Sequence, residues 1–114
     1  MISDEQLEMA MNHIRDKANE YAKAKATRIQ LMEFRKSKKA LLMIKAEKAG
    51  HRTAASQERE AYADAEYIEL LNSIADAVED EETHRYLMKA AELKVDIWRT
   101  RAANQRAERK GYGA

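Results

Sequence analysis

With 114 residues, no cysteine, no proline and three glycines, the chain has room for one modest domain and excludes disulfide stapling and thiolate chemistry. Charged residues make up 36% and hydrophobic ones 45%, many of them alanine, a balance that suits long solvated helices rather than a β-sandwich. A net charge of +1 gives no overall pull toward nucleic acid, and the longest unbroken apolar run, residues 40–44, falls far short of the roughly 20 residues that span a bilayer.

The start of the chain, MISDEQLEMAMNHIRD, is acidic and interrupted by charge every few residues, which is unlike a signal peptide. Together with the missing cysteines this points to the cytoplasm. Ser3 followed by Gln6 matches a capping box, and Asp4 and Glu5 place negative charge in the first helical turn. Apolar residues then recur at helical spacing, and two ladders repeat every eleven residues: Leu7, Ala18, Ile29, Ala40 and Ala10, Tyr21, Met32, Met43. With Met11, Ile14, Ala22 and Ile44 these residues form the predicted stripe of the first helix, interrupted at Lys25, Glu33 and Lys36, with Leu31, Phe34, Leu41 and Leu42 lying off it. Nothing breaks the pattern before Gly50, so one helix is expected over about residues 4–49, about 70 Å long at ~1.5 Å per residue.

His51-Arg52-Thr53 reads as a turn, with Thr53 as N-cap of a short helix over about residues 53–63. Asp64 reads as a second break and cap. The next helix is expected over about residues 65–109, followed by a flexible tail at 110–114. Its apolar set runs from Tyr67 and Ile68 to Ile97 and Trp98, and Glu79-Asp80-Glu81-Glu82 thins the core in its middle. The fold class is therefore all-α: one domain over residues 1–114, a long antiparallel helical hairpin with a short connecting helix.

Charge blocks set the direction of the hairpin. Residues 23–49 carry nine bases against two acids, and residues 64–86 carry eight acids against one base. Residues 1–22 hold five acids and two bases, and residues 87–114 hold seven bases and three acids. An antiparallel pair sets opposite blocks side by side, whereas a parallel pair opposes like charges. With residue 49 near residue 65, the run at 79–82 falls opposite Met32 to Arg35, next to Lys36, Lys38 and Lys39. Two helices bury one stripe each, which is thin for a stable domain. The chain is therefore expected to assemble as a homodimer, a homo-oligomeric helical bundle, with a compact three-helix monomer as the rival.

No catalytic constellation emerges, so the chain is expected not to be an enzyme and to need no cofactor. Ser37, Ser56 and Ser73 have no base and acid in supporting context, and there is no Gly-rich phosphate loop. His13 and His51 read as surface or capping residues. Glu81-x-x-His84 has the spacing of carboxylate-bridged di-iron bundles, and Glu33 falls near it in the expected register. An acid-rich run beside any histidine produces this motif by chance, so no metal is assigned. The candidate binding residues are Trp98, Arg99, Arg101, Arg106, Arg109 and Lys110, with Tyr112 nearby, because arginines beside aromatics grip phosphates and stack the bases of a single strand.

The segments FRKSKKALLM (34–43), QEREAYADAEY (57–67) and DIWRTRAANQR (96–106) resemble, in the same order, a family of small uncharacterised early-region proteins of tailed bacteriophages. The resemblance covers about two-thirds of the chain, from about Tyr21 onward. Genes of that family tend to lie near early recombination and single-strand-binding genes. The resemblance thus implies an accessory protein in the host cytoplasm that binds nucleic acid, single-stranded DNA above all, or a DNA-processing protein of host or phage. The alternatives are an inhibitor or adaptor docking on a host enzyme through the charge blocks, and a di-metal carboxylate bundle.

Overall fold

The fold is taken from a computed structural model, which describes the backbone of residues 2–113 and the side chains of residues 2–111. Among the described residues it is all helix, with three elements: α1 (Asp4–Lys48), α2 (Ala54–Ala63) and α3 (Ala65–Gly113).

Local chemistry sets each boundary. The Ser3 backbone N–H donates to Gln6 Oε1 at 2.9 Å and the Gln6 N–H donates to Ser3 Oγ at 3.1 Å, the reciprocal box that starts α1. α1 ends at Gly50, whose φ of 106° no side-chain-bearing residue adopts cheaply. There the His51 N–H reaches the Ala46 carbonyl and the Gly50 N–H reaches the Glu47 carbonyl, both at 3.1 Å, a Schellman closure. Thr53 caps α2 by accepting from the Ser56 N–H at 3.1 Å. Asp64 caps α3 by accepting from the Glu66 N–H at 2.8 Å. At its far end α3 continues through Gly113 instead of stopping near residue 109, because no proline or left-handed glycine interrupts it and Gly111 keeps a helical backbone. Ala114 lies outside the described residues.

The buried stripe keeps Leu7, Ala10, Ile14, Tyr21 and Met43 of the expected set but not the eleven-residue spacing. Along α1 the residues with reduced exposure include Leu7, Ala10, Ile14, Tyr21, Ala24, Arg28, Leu31, Lys38 and Leu42, alternating steps of three and four with gaps only at Lys17 and Arg35. Along α3 they include Tyr67, Leu70, Ile74, Ala77, Glu81, His84, Met88, Ala91, Val95 and Ala102. On each helix these steps of three and four mark a heptad stripe. Ala18, Ile29 and Ala40 of the expected stripe are exposed, while Leu31 and Leu42, expected off it, sit on the seam. A helix that keeps contact with a neighbour over many turns follows a 3.5-residue period, and the eleven-residue ladder drifts off that line.

The chain forms two compact units, one over Lys23–Glu82 and one over Met1–Ala22 with Thr83–Ala114. In the first, α2 folds against the ends of both long helices. Ala61 is fully buried there, clustered with Leu42 and Tyr67, and Met43 packs onto the cluster. The rings of Tyr62 and Tyr67 meet edge-on at 5.3 Å, and the Lys39 ammonium lies 4.9 Å from the Tyr62 ring centre. α1 and α3 run antiparallel in this unit: Lys45 pairs with Asp64 at 3.1 Å, Lys38 with Glu66 at 3.6 Å, and Arg28 with Glu81.

That register departs from the expected one. Glu81 meets Arg28, a turn or more before the expected Met32–Arg35 stretch. Lys36 pairs with Glu33 of its own helix at 3.4 Å, and Lys39 reaches Glu58 of α2 at 3.4 Å. The cause is α2, which folds back so that α3 begins beside Lys45 rather than beside the end of α1. In the second unit the buried residues include Ala10, Met88 and Ala91.

Candidate nucleic-acid interface

The C-terminal part of α3, DIWRTRAANQRAERK, is helical because alanine, arginine, glutamine and glutamate dominate it. Its one β-branched hydroxyl, Thr100, returns its Oγ1–H to the Asp96 carbonyl at 3.1 Å and stays within the helix. The heptad phase then decides where each basic side chain points.

Trp98 falls on the seam. Its side chain is 37% exposed and lines a cleft of about 380 Å³ with Arg101, Ala102 and Gln105 of α3 and with Ile2, Ser3 and Asp4 at the start of α1. The indole and the Arg101 guanidinium therefore share one wall, but the Asp4 carboxylate sits in the same cleft and opposes an incoming phosphate. Arg106, Arg109 and Lys110 line a separate open concavity with Ala103 and Ala107, whose small side chains leave the cations standing clear of the backbone.

Arg99, Arg106 and Lys110 are spaced by seven and four residues, so they lie on one face of α3. They span about 16 Å at ~1.5 Å per residue, the length of roughly five stacked nucleotides at ~3.4 Å each. Arg99 is partly engaged, with Asp96 3.9 Å away on the same helix. Among the described residues no carboxylate lies within 4 Å of Arg101, Arg106, Arg109 or Lys110. The six candidates thus divide into a Trp98–Arg101 cleft and an Arg99–Arg106–Lys110 face, with Arg109 between them. The side chain of Tyr112 lies outside the described residues.

No protein-family model, curated protein or solved structure matches this chain.

The carboxylates of the di-metal alternative are otherwise engaged. The Arg28 guanidinium grips Glu81 in bidentate fashion, Nε–H to one oxygen and Nη2–H to the other, the second at 3.3 Å. Glu33 faces Lys36. Among the described residues no group of three His, Asp or Glu side chains is placed to hold a metal ion, and no helix is long and apolar enough to cross a membrane. The Arg28–Glu81 pair is the feature that sequence reading missed. Counting threes and fours from Leu7 and from Tyr67 puts both residues on the seams, which is the signal that would have found it.

Proposed function

We propose that the chain is a non-enzymatic accessory protein that binds single-stranded nucleic acid through the Arg99–Arg106–Lys110 face, acting in DNA metabolism as the bacteriophage resemblance implies. The observation that carries this reading is the free presentation of Arg106 and Lys110, with Arg99, along one helical face that lacks ion-paired carboxylates beyond Asp96. Cations held this way release counterions from a phosphate backbone without first breaking internal pairs. Trp98 adds an aromatic surface for base stacking. The protein acts as a homo-oligomer in the cytoplasm, so that one particle carries more than one such face.

Fluorescence anisotropy with labelled single- and double-stranded oligonucleotides, titrated across a salt series, tests the reading. Binding that weakens with salt at a slope of roughly 0.7 per phosphate contacted is expected for a single strand. The triple substitution Arg99→Glu, Arg106→Glu, Lys110→Glu should abolish it. No binding to either oligonucleotide at low salt overturns the nucleic-acid reading and leaves docking on a DNA-processing protein.

A further inference from the structure

The cleft lined by Trp98 and Arg101 holds two opposite charges that do not pair. Asp4 enters it from α1 and Arg101 from α3, and among the described residues neither has an ion-pair partner within 4 Å. A carboxylate and a guanidinium kept apart by a cavity set acceptors on one wall and donors on another. The Trp98 indole forms a further wall, and among the described residues no other ring stacks on it. Ala102, one turn further along α3, adds only a methyl group beside the indole. The cleft lies within the unit formed by Met1–Ala22 and Thr83–Ala114, and its volume of about 380 Å³ admits a planar heterocycle.

This set of groups is selective. Asp4 repels a bare phosphate, and a purely apolar ligand would leave both charges desolvated without a partner. An aromatic ligand with two adjacent donors on one edge and two adjacent acceptors on the next answers all three walls. Among the nucleobases that description fits guanine. Its N1–H and N2–H lie side by side, and its O6 and N7 form the commonest bidentate partner of arginine. Adenine and cytosine offer a carboxylate one amino group, and thymine flanks its one N–H with two oxygens that a carboxylate repels.

We propose that the Asp4–Trp98–Arg101 cleft holds a single guanine base. The base stacks on the indole, its N1–H and N2–H donate to the Asp4 carboxylate, and its O6 and N7 accept from the Arg101 guanidinium. The proposal deepens the nucleic-acid reading and rests on it for a strand as the source of the base. Trp98 and Arg99 are consecutive, about 100° apart around α3, so a strand on the Arg99–Arg106–Lys110 face passes beside the cleft. Phosphates are then taken on that face, and one unstacked base is taken in the cleft.

Trp98 is the single tryptophan of the chain, so its emission reports this cleft alone. Titration with the four deoxynucleoside monophosphates, which share one phosphate and differ in the base, tests the proposal. The guanine nucleotide should quench the emission saturably, at a concentration about tenfold or more below that needed by the other three. Asp4→Asn replaces an acceptor oxygen by a donor, and should erase the guanine preference while quenching by stacking and the helical circular dichroism remain. Glu5→Gln, in the same helical turn but not lining the cleft, should keep the preference. No saturable quenching, equal quenching by all four nucleotides, a preference that survives Asp4→Asn, or equal loss in Glu5→Gln would each overturn the proposal. Oligothymidines with and without one central guanine then separate the sources of the base. Tighter binding of the guanine-containing strand upholds both readings. Guanine-selective nucleotide binding with no strand binding upholds the guanine site, with a free nucleotide as its source, and overturns the nucleic-acid reading. Strand binding with no guanine preference upholds that reading and overturns this proposal.

Discussion

In the Lys23–Glu82 unit, ion pairs join different elements, Arg28 with Glu81, Lys38 with Glu66, Lys39 with Glu58 and Lys45 with Asp64, beside the Lys36–Glu33 pair within α1. In the unit built from Met1–Ala22 and Thr83–Ala114, the pairs of Arg15 with Asp16, Lys17 with Glu20 and Arg99 with Asp96 each stay on one helix. The first unit also has a third helix, a clustered core and caps at both turns. The second buries Ala10, Met88 and Ala91 and leaves Met9, Tyr86, Leu87 and Leu93 exposed. The corner is therefore fixed by several independent devices, while in the terminal unit the less exposed side chains include Leu7, Ala10, Ile14, Met88, Ala91 and Val95. Arg28, Lys38, Lys39 and Lys45 at the corner are committed to pairs between elements, whereas Arg106 and Lys110 near the C-terminus have no carboxylate within 4 Å among the described residues.

The sharpest way to break this contrast is through the core. Leu42→Ala removes the aliphatic member of the corner cluster and should cost about 2–4 kcal/mol in a chemical denaturation series. Met88→Ala should cost less, since Met88 belongs to no such cluster among the described residues. Equal losses would show that the terminal unit is packed as firmly as the corner.

The Arg28–Glu81 pair comes next. Glu81 is buried, so Glu81→Ala strands the guanidinium against the seam, whereas Glu33→Ala removes an exposed partner of Lys36. The melting point should fall clearly for the first and hardly at all for the second. Replacing both Arg28 and Glu81 with methionine should recover most of the loss. A double variant no better than Glu81→Ala alone would mean that the two residues do not act as a pair.

The boundaries of the helices were legible because their determinants are local. Ser3 with Gln6, Gly50, Thr53 and Asp64 each act within a few residues of themselves, and each was identifiable without knowing what the helices pack against. The seam was not legible, because alanine and methionine fill positions on two adjacent stripes of α1 and because Arg28 and Glu81 disguise the 3.5-residue period with charge. From that one uncertainty followed the misplaced register of Glu79–Glu82. The basic residues of the candidate site were legible as a cluster. Their division between a Trp98–Arg101 cleft and an Arg99–Arg106–Lys110 face depends on the phase of α3, which only packing reveals.

Gly50→Ala probes the corner's backbone alone. No atom lies within 4 Å of the added Cβ, so the cost comes only from φ, and about 1–2 kcal/mol is expected from the same denaturation series. A neutral result would mean that the turn relaxes into another conformation.

The smallest effect expected is a pH dependence at Asp64. The Glu66 backbone N–H first, and then the Lys45 ammonium, hold its carboxyl below the usual carboxylate range. A carboxyl that is more acidic in the folded state contributes stability above its unfolded value, and that contribution is lost as the pH falls through the folded value. Melting points recorded from neutral to strongly acid conditions should show Asp64→Asn with a shallower loss on the acid side than the wild-type chain. Parallel curves would mean that Asp64 contributes nothing to the acid limb.

The Arg28–Glu81 pair also has a consequence for how α1 and α3 can slide along each other in the corner unit. Apart from Arg28, Arg35, Lys38 and Glu81, their seams in this unit are alanine, leucine, isoleucine and tyrosine, which would tolerate displacement by a whole heptad almost as well as the native match. A slip of seven residues one way would set Arg28 against Ile74 and Glu81 against Tyr21, two unsatisfied charges within the seam, and the other way would strand Arg28 while Glu81 faced Arg35. The pair thus acts as a detent in an otherwise smooth track, giving up some stability that an aliphatic pair would supply and making every neighbouring alignment costly.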